Sequence, residues 1–279
     1  MLVLRPGALG DALLAVPALR ALRRRFGRLT LASHGPAARL LEACGEVDHG
    51  LAFDDPSLSW LFSRAPHPGP LPQGGEGNQL PIVAWLDPSR IQVNPLITAP
   101  SRPADEATHC AWHLLRSVVP LGCEPVLDDR PLTIAAIPSE AVLVHPGSGS
   151  PRKNWPPEKF ASVIRHVDNV RLVVGEADAP AAQAVDNALG RRLPRLVLPT
   201  LEELASHLAG CRAYLGNDSG VSQLAGLCGA RTVVLFGPTP ASVWRPLGPR
   251  VQVLDFAVPP EEVAQALRGC PAHGELIEP

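Results

Sequence analysis

The chain has 279 residues, a hydrophobic content of 46% and a formal net charge of −2. That is enough apolar material for one large or two ordinary domains, and the near-neutral charge gives no reason to expect a nucleic-acid partner. Aromatics make up only 4% while prolines number 32, so short, stiff connections are expected. The six cysteines are scattered without a C-x-x-C, a pattern of free thiols in a reducing compartment rather than of a disulfide framework. No run of about 18 apolar residues occurs, so no membrane-spanning helix is expected. Arg5 and Asp11 interrupt the first apolar stretch, which therefore does not read as a signal peptide. The expected location is cytoplasmic.

In chain order, residues 2–4 read as a strand and 5–11 (RPGALGD) as a glycine loop. Residues 12–26 read as a helix with Leu13, Val16, Leu19 and Leu22 near one face, and Pro17 marks a kink or a late start. A strand at 29–32, a helix at 36–44 and a strand at 47–52 follow. This alternation predicts a parallel sheet with helices on both faces. Gly7-x-x-Gly10 lacks the spacing of the dinucleotide fingerprint, and no fitting acid ends the second strand, so a nicotinamide oxidoreductase is the weaker reading. Residues 65–78 (APHPGPLPQGGEGN) hold one charge, Glu76, and cannot bury enough surface to fold alone. They read as a disordered insertion, similar to the translation of a dispersed bacterial repeat. A strand at 82–86, an irregular stretch at 94–103 and a helix at 104–119 come next. The proline-rich stretch 120–138 reads as a connector with room for one short strand.

The alternation then restarts. Strands are expected at 141–144, 170–174, 196–198, 213–215, 232–236 and 251–254, and helices at 156–167, 180–189, 201–209, 221–228 and 259–268. The fold expectation is α/β with two Rossmann-like domains, 1–130 and 138–258, facing across a cleft. The last helix and tail, 259–279, are expected to pack back on the first domain.

Four loops follow strand ends and carry the candidate chemistry. They are the loop ending at Asp11, the loop 145–153 (HPGSGSPRK), the loop 175–178 (GEAD) and the turn 216–220 (GNDSG). A helix that begins at a glycine-rich turn offers unpaired backbone N–H groups and a positive dipole end, and the usual ligand there is a phosphate. Lys153 adds a point charge beside such a phosphate. Plainer readings stand beside these: Asp11, Asp218 and Ser219 also suit helix N-caps, and Lys153 a solvated loop.

VHPGSGSPRKNWPPEKF and GNDSGVSQLAGLCGARTVVLFGPTP resemble the two signature regions of the family 9 glycosyltransferases, the lipopolysaccharide heptosyltransferases. LRPGALGDALLAVPAL resembles that family's opening motif. The resemblance covers most of the chain, is strongest in 141–249 and 1–20, and implies a GT-B fold. It also implies an inverting, metal-independent transfer of a sugar from a nucleotide-sugar donor, ADP-heptose foremost, to a glycolipid or oligosaccharide acceptor of the lipopolysaccharide core. By position, Asp11 is the implied base for the acceptor hydroxyl, and Lys153 neutralises the donor diphosphate. Asp218, Ser219 and Gly220 bind that diphosphate through the turn and the helix start, Asn217 and Gln223 are further donor-binding residues, and the loop of Ser148 and Gly149 adds backbone N–H groups. Asp178 or Glu176 holds the ribose. No metal and no other cofactor is implied. Gln223 stands where the family usually has His, and it cannot carry a proton or a charge. With the short first half, this motivates an alternative: a non-catalytic relative that binds a nucleotide sugar.

Arg20, Arg23, Arg24, Arg25 and Arg28 form a basic run at the end of the first helix. They suit the helix dipole, and they suggest peripheral contact with the inner membrane or a phosphorylated glycolipid. His109 and His113 are four apart on a helix, but no carboxylate at a ligand spacing accompanies them, so zinc is not expected.

Overall fold

The computed structural model describes residues 1–63, 81–93, 95–175, 177–197 and 200–269. The expected insertion at 65–78, Glu176 and the tail from 270 onward lie outside the described residues. The chain divides into two units, Met1–Asp128 and Asp129–Pro279.

The first unit begins with β1 (Leu2–Arg5), α1 (Leu9–Leu13), α2 (Val16–Phe26), β2 (Thr30–Ser33), α3 (Gly35–Ala43) and β3 (His49–Ala52). A 3-10 turn at Pro56–Phe62, then β4 (Ile82–Ala84), β5 (Ile97–Thr98) and α4 (Cys110–Ser117) complete its main elements. Its strands run in the order β3-β2-β1-β4-β5, every pair parallel. The helix expected at 12–26 is two helices. Pro17 falls in the first turn of α2, where its missing N–H leaves no bond unmade. The helix expected from 104 starts only at Cys110. Asp105 takes the N–H groups of Ala107 and Thr108 into a turn, and the His109 ring accepts from Ala111 N at 3.2 Å as an N-cap. The stretch expected to be irregular contains the two-residue β5, bonded to β4. One face of this sheet buries Leu2, Leu4, Ala32, Ile82 and Ala84 beneath Leu58, Leu61, Leu86 and Ile91.

The second unit runs β6 (Val142–His145), α5 (Pro157–Arg165), β7 (Val170–Val174), α6 (Ala179–Leu189), β8 (Arg195–Val197), α7 (Leu201–Gly210) and β9 (Ala213–Asn217). It ends with α8 (Gly220–Leu227), β10 (Thr232–Phe236), α9 (Ala241–Trp244), β11 (Val251–Asp255) and α10 (Pro260–Arg268). Its strand order is β11-β10-β9-β6-β7-β8, again all parallel. On one face Val142, Val144, Leu172, Val174, Ala213, Leu215, Val233 and Leu235 meet Phe160 and Ile164 of α5, Val185 of α6, and Val263 and Leu267 of α10. Each fully buried Val, Leu, Ile or Phe contributes about 1.5–3 kcal/mol, so this face is a strongly stabilising layer of the unit. The last helix was expected on the first domain. Instead its apolar face, Val263, Ala264, Ala266 and Leu267, is buried in the second unit's own core, because Pro260–Arg268 follows β11 directly and lies against α5. No strand forms in 120–138; Leu132 instead donates its N–H to Leu227 O.

In this winding the direction of chain progress reverses between β6 and β9. Ligands of open α/β sheets bind beyond the carboxyl ends of the strands at that reversal.

Candidate functional site

β6 ends at His145 and β9 at Asn217, side by side at the reversal. The fully buried Asn217 side chain ties the two loops beyond them together. Its Nδ2 donates to Pro146 O at 2.8 Å, and its Oδ1 accepts from Trp155 N at 2.9 Å. Asn217, read from sequence as a donor contact, is therefore a brace whose side chain is already used within the fold. Ser219 is the N-cap of α8, its Oγ accepting from Ser222 N at 3.3 Å. Gly220 opens the helix and is partly exposed. Gly149 is exposed, with open space where a side chain would stand, so its backbone is free to meet a ligand. Ser148 is turned into its own loop, 2.6 Å from both Ser150 O and Asn154 Oδ1.

Lys153 Nζ lies 3.0 Å from Asp218 Oδ2, and the same oxygen accepts from Thr239 Oγ1 at 2.7 Å. The lysine side chain is 25% exposed, so this cation is within reach of solvent and of a ligand. Asp218 holds the lysine over the start of α8. A carboxylate repels a diphosphate, so its place is on Lys153 rather than on the anion. Gln223 donates through Nε2 to Trp244 O at 2.6 Å, and its Oε1 is buried without a hydrogen-bond partner.

Asp178, read as a ribose ligand, is turned inward. Its Oδ2 accepts from Gly175 N at 3.0 Å and lies 2.9 Å from His145 Nε2. Burial by itself pushes this carboxyl up, but the hydrogen bond and charge of His145, with the Gly175 N–H, outweigh it and hold Asp178 below the ordinary value. A Cβ on Gly147 would collide with Asp178 Oδ1, so only glycine lets the carboxylate sit there. The other His145 nitrogen, Nδ1, lies 3.4 Å from Ser219 Oγ. Sequence reading passed over His145, Thr239, Ser222 and Tyr214. For His145 a signal exists, a titratable residue ending a buried strand just before a glycine loop.

In the first unit the Arg5 side chain is 0% exposed and Asp11 is 33% exposed, with Arg5 Nη2 3.2 Å from Asp11 Oδ1. Arg5 Nε also donates to Asp11 O at 3.1 Å, and its Nη1 is buried without a partner. Asp11 Oδ2 accepts from Ala8 N at 2.9 Å, which satisfies a free N–H at the start of α1. Gly7 has φ +131°, and a side chain there would strike Asp11. The turn is thus built around this carboxylate.

The basic run is largely neutralised. Arg20, expected at a membrane surface, is only 2% exposed and pairs with Glu46 (Nε to Oε2 2.9 Å) and with Asp128 (3.2 Å), because it falls on the buried face of α2. Arg24 also pairs with Asp128 at 3.1 Å, Arg23 lies 3.5 Å from Asp48, and Arg25 stacks over Phe26. His113 Nε2 lies 2.9 Å from Pro100 O, so it and the capping His109 each carry a local bond. Among the described residues, no helix is long and apolar enough to cross a membrane.

Two all-parallel α/β units with a helix start at the strand reversal are the architecture of the GT-B fold, and solved structures agree on it. The family 9 glycosyl transferase of Veillonella parvula DSM 2008 matches with a TM-score of 0.77 at 17% identity, over 96% of this chain and 95% of that one. ADP-heptose LPS heptosyltransferase II of E. coli gives 0.70 at 16% identity, over 96% and 97%. The E. coli heptosyltransferase WaaC with ADP gives 0.68 at 13% identity, over 96% and 98%. No curated protein matches the chain. The model of glycosyltransferase family 9 (heptosyltransferase) matches residues 126–267, half of the chain, and the chain belongs to that family. It is a glycosyltransferase.

Proposed function

We propose that this glycosyltransferase moves a sugar, in one inverting displacement and without a metal, from a nucleoside-diphosphate sugar to a hydroxyl of a lipopolysaccharide-core or related glycan. The observation that carries the reading is the head of α8: it opens from an Asp-Ser-Gly turn at the strand reversal with Lys153 held over it by Asp218. ADP-heptose is the preferred donor, because similar folds were solved with ADP and with ADP-2-deoxy-2-fluoro heptose, and another is titled an ADP-heptose heptosyltransferase.

The diphosphate sits at the N–H groups of Gly220 and the Gly149 loop and at the Ser219 hydroxyl. When the bond to the sugar breaks, negative charge builds on the leaving oxygen. Donors and a cation already aimed there lower the barrier without reorganising. Asp11 takes the proton of the acceptor hydroxyl as that oxygen attacks, leaving the anomeric centre inverted. Asp218, Asn217 and Asp178 position the loops, Gln223 offers its unpartnered Oε1 to a donor hydroxyl, and Glu176 remains a candidate for the ribose. The exposed Arg25 and Arg28 are the cations left for an anionic glycolipid or membrane surface on the cytoplasmic side.

Calorimetric titration with ADP, UDP and GDP tests the donor site. The expected result is saturable binding of one of them, ADP foremost, and failure of all three removes the reading. One observation favours a second reading: both Asp11 oxygens already have partners in the fold, which suits a purely structural role. A non-catalytic binding protein then gives nucleotide affinity with no sugar transfer to any core acceptor.

A further inference from the structure

The His145 ring is 3% exposed and joins two systems, Asp178 at Nε2 (2.9 Å) and Ser219 at Nδ1 (3.4 Å). From Ser219 the chain continues inward. Its Oγ lies 3.2 Å from Ser222 Oγ, which lies 3.0 Å from Tyr214 OH. Ser222 donates its own proton to Asn217 O at 2.5 Å, so that proton is committed. The Ser219 proton is therefore the movable one, and the state of His145 decides where it points. A neutral ring that donates Nε2–H to Asp178 leaves a lone pair on Nδ1, which accepts the Ser219 O–H. A ring with its second proton donates from both nitrogens, to Asp178 and to Ser219 Oγ. The Ser219 hydroxyl then accepts from His145 and from Ser222 N, and its own proton turns outward at the cap of α8.

We propose that His145 is a positioning residue: its second proton, held against Asp178, turns the Ser219 hydroxyl toward the diphosphate of the bound donor. This rests on the reading that the head of α8 holds a diphosphate. Among the described residues, the following groups face the ring. Asp178 comes from the connection between β7 and α6, Tyr214 from β9, and Ser219 and Ser222 from α8. The neighbouring charges Lys153 and Asp218 are paired with each other. Asp178 gives Nε2 an acceptor in either state of the ring, and an anion arriving beyond Ser219 calls for the second proton on Nδ1. Nucleotide binding is then linked to uptake of one proton.

The test is calorimetry on the full chain with whichever of ADP, UDP and GDP binds tightest, at pH 6 and pH 8, in buffers of different ionisation enthalpy. The proteins are the wild type, His145→Gln, Ser219→Ala and the double variant. The wild type is expected to take up a proton and to gain about 10-fold in affinity at pH 6 relative to His145→Gln, the worth of one hydrogen bond to a charged group. Ser219→Ala loses the same increment, and the double variant loses no more than either alone. Equal pH dependence in wild type and His145→Gln, or additive losses in the double variant, overturns the proposal while leaving the diphosphate site standing. No binding by the wild type at either pH overturns both. Should His145→Gln fail to fold, the ring nitrogens of His145 are followed by NMR in the wild type: nucleotide is expected to favour the doubly protonated ring, and an unchanged titration overturns the proposal.

Discussion

Arg5 is a buried cation whose ion-pair partner is Asp11, and this makes Asp11 two things at once. Removing one partner of a fully buried pair costs about 3–5 kcal/mol. Because the Asp11 carboxylate is one-third exposed, about 1–3 kcal/mol is expected for Asp11→Asn. A drop in melting temperature therefore accompanies that change whether or not Asp11 is the base. The two roles separate in the double variant Arg5→Met, Asp11→Asn, which lifts the uncompensated charge. Denaturant unfolding should show stability recovered relative to Asp11→Asn, while transfer stays down by ~10²-fold or more, the usual loss with a general base. Transfer restored along with stability would assign Asp11 to the fold alone. Lys153→Ala behaves differently: nucleotide affinity and transfer both fall, by roughly 10-fold or more, as expected for a charge that meets the ground state and the leaving group. The places of Asp11, Lys153 and the Asp-Ser-Gly turn, in the connections beyond strands, were legible in the sequence from the glycines and prolines that mark those connections. Arg20 was misread, because nothing local announces that Glu46 and Asp128 wait for it. The contacts of His145 reach 33 and 74 positions along the chain, so no window around it shows them.

At the scale of elements, strands and helices followed from apolar runs and from punctuation by proline and glycine. What escaped were places where a side chain bonds its own backbone. Asp105 and His109 shorten α4 in this way, and the two-residue β5 offers too little pattern to read. α7 illustrates the legible case. Thr200 Oγ1 accepts from Glu203 N at 3.2 Å, and Glu203 accepts from Thr200 N at 2.9 Å, a reciprocal cap. Thr200→Ala should cost about 1 kcal/mol and leave nucleotide affinity unchanged. Gly147→Ala is the contrasting change. Its methyl would displace the Asp178 carboxylate from His145, at a cost of about 1–3 kcal/mol for overpacking. Unfolding and nucleotide titration together should show both stability and affinity lowered, and an unaltered affinity would mean that the loop relaxes without moving Asp178.

At the scale of the molecule, each unit has its own sheet and its own buried core. The family signal at 126–267 falls almost wholly in the second unit, whereas likeness to solved structures spans both. The strands of the first unit were legible from their apolar runs and the punctuation between them, without that family signal. A ligand that binds only the folded second unit stabilises it by about 2.7 kcal/mol at a hundred times its dissociation constant. Hydrogen exchange with saturating nucleotide should therefore slow β6, β9 and α8, with β1 to β3 little changed. Equal protection of both units would show that the nucleotide couples them.

The pairing of Lys153 with Asp218 bears on how the site empties. The lysine is not a bare charge waiting in water, because Asp218, itself anchored by the Thr239 hydroxyl, holds it in place. If Lys153 holds the donor as proposed, a spent nucleotide leaves behind a counter-ion that a neighbouring acid is placed to reclaim. The acid beside the lysine would then work as a return spring, trading some grip on the product for a faster reset of the site.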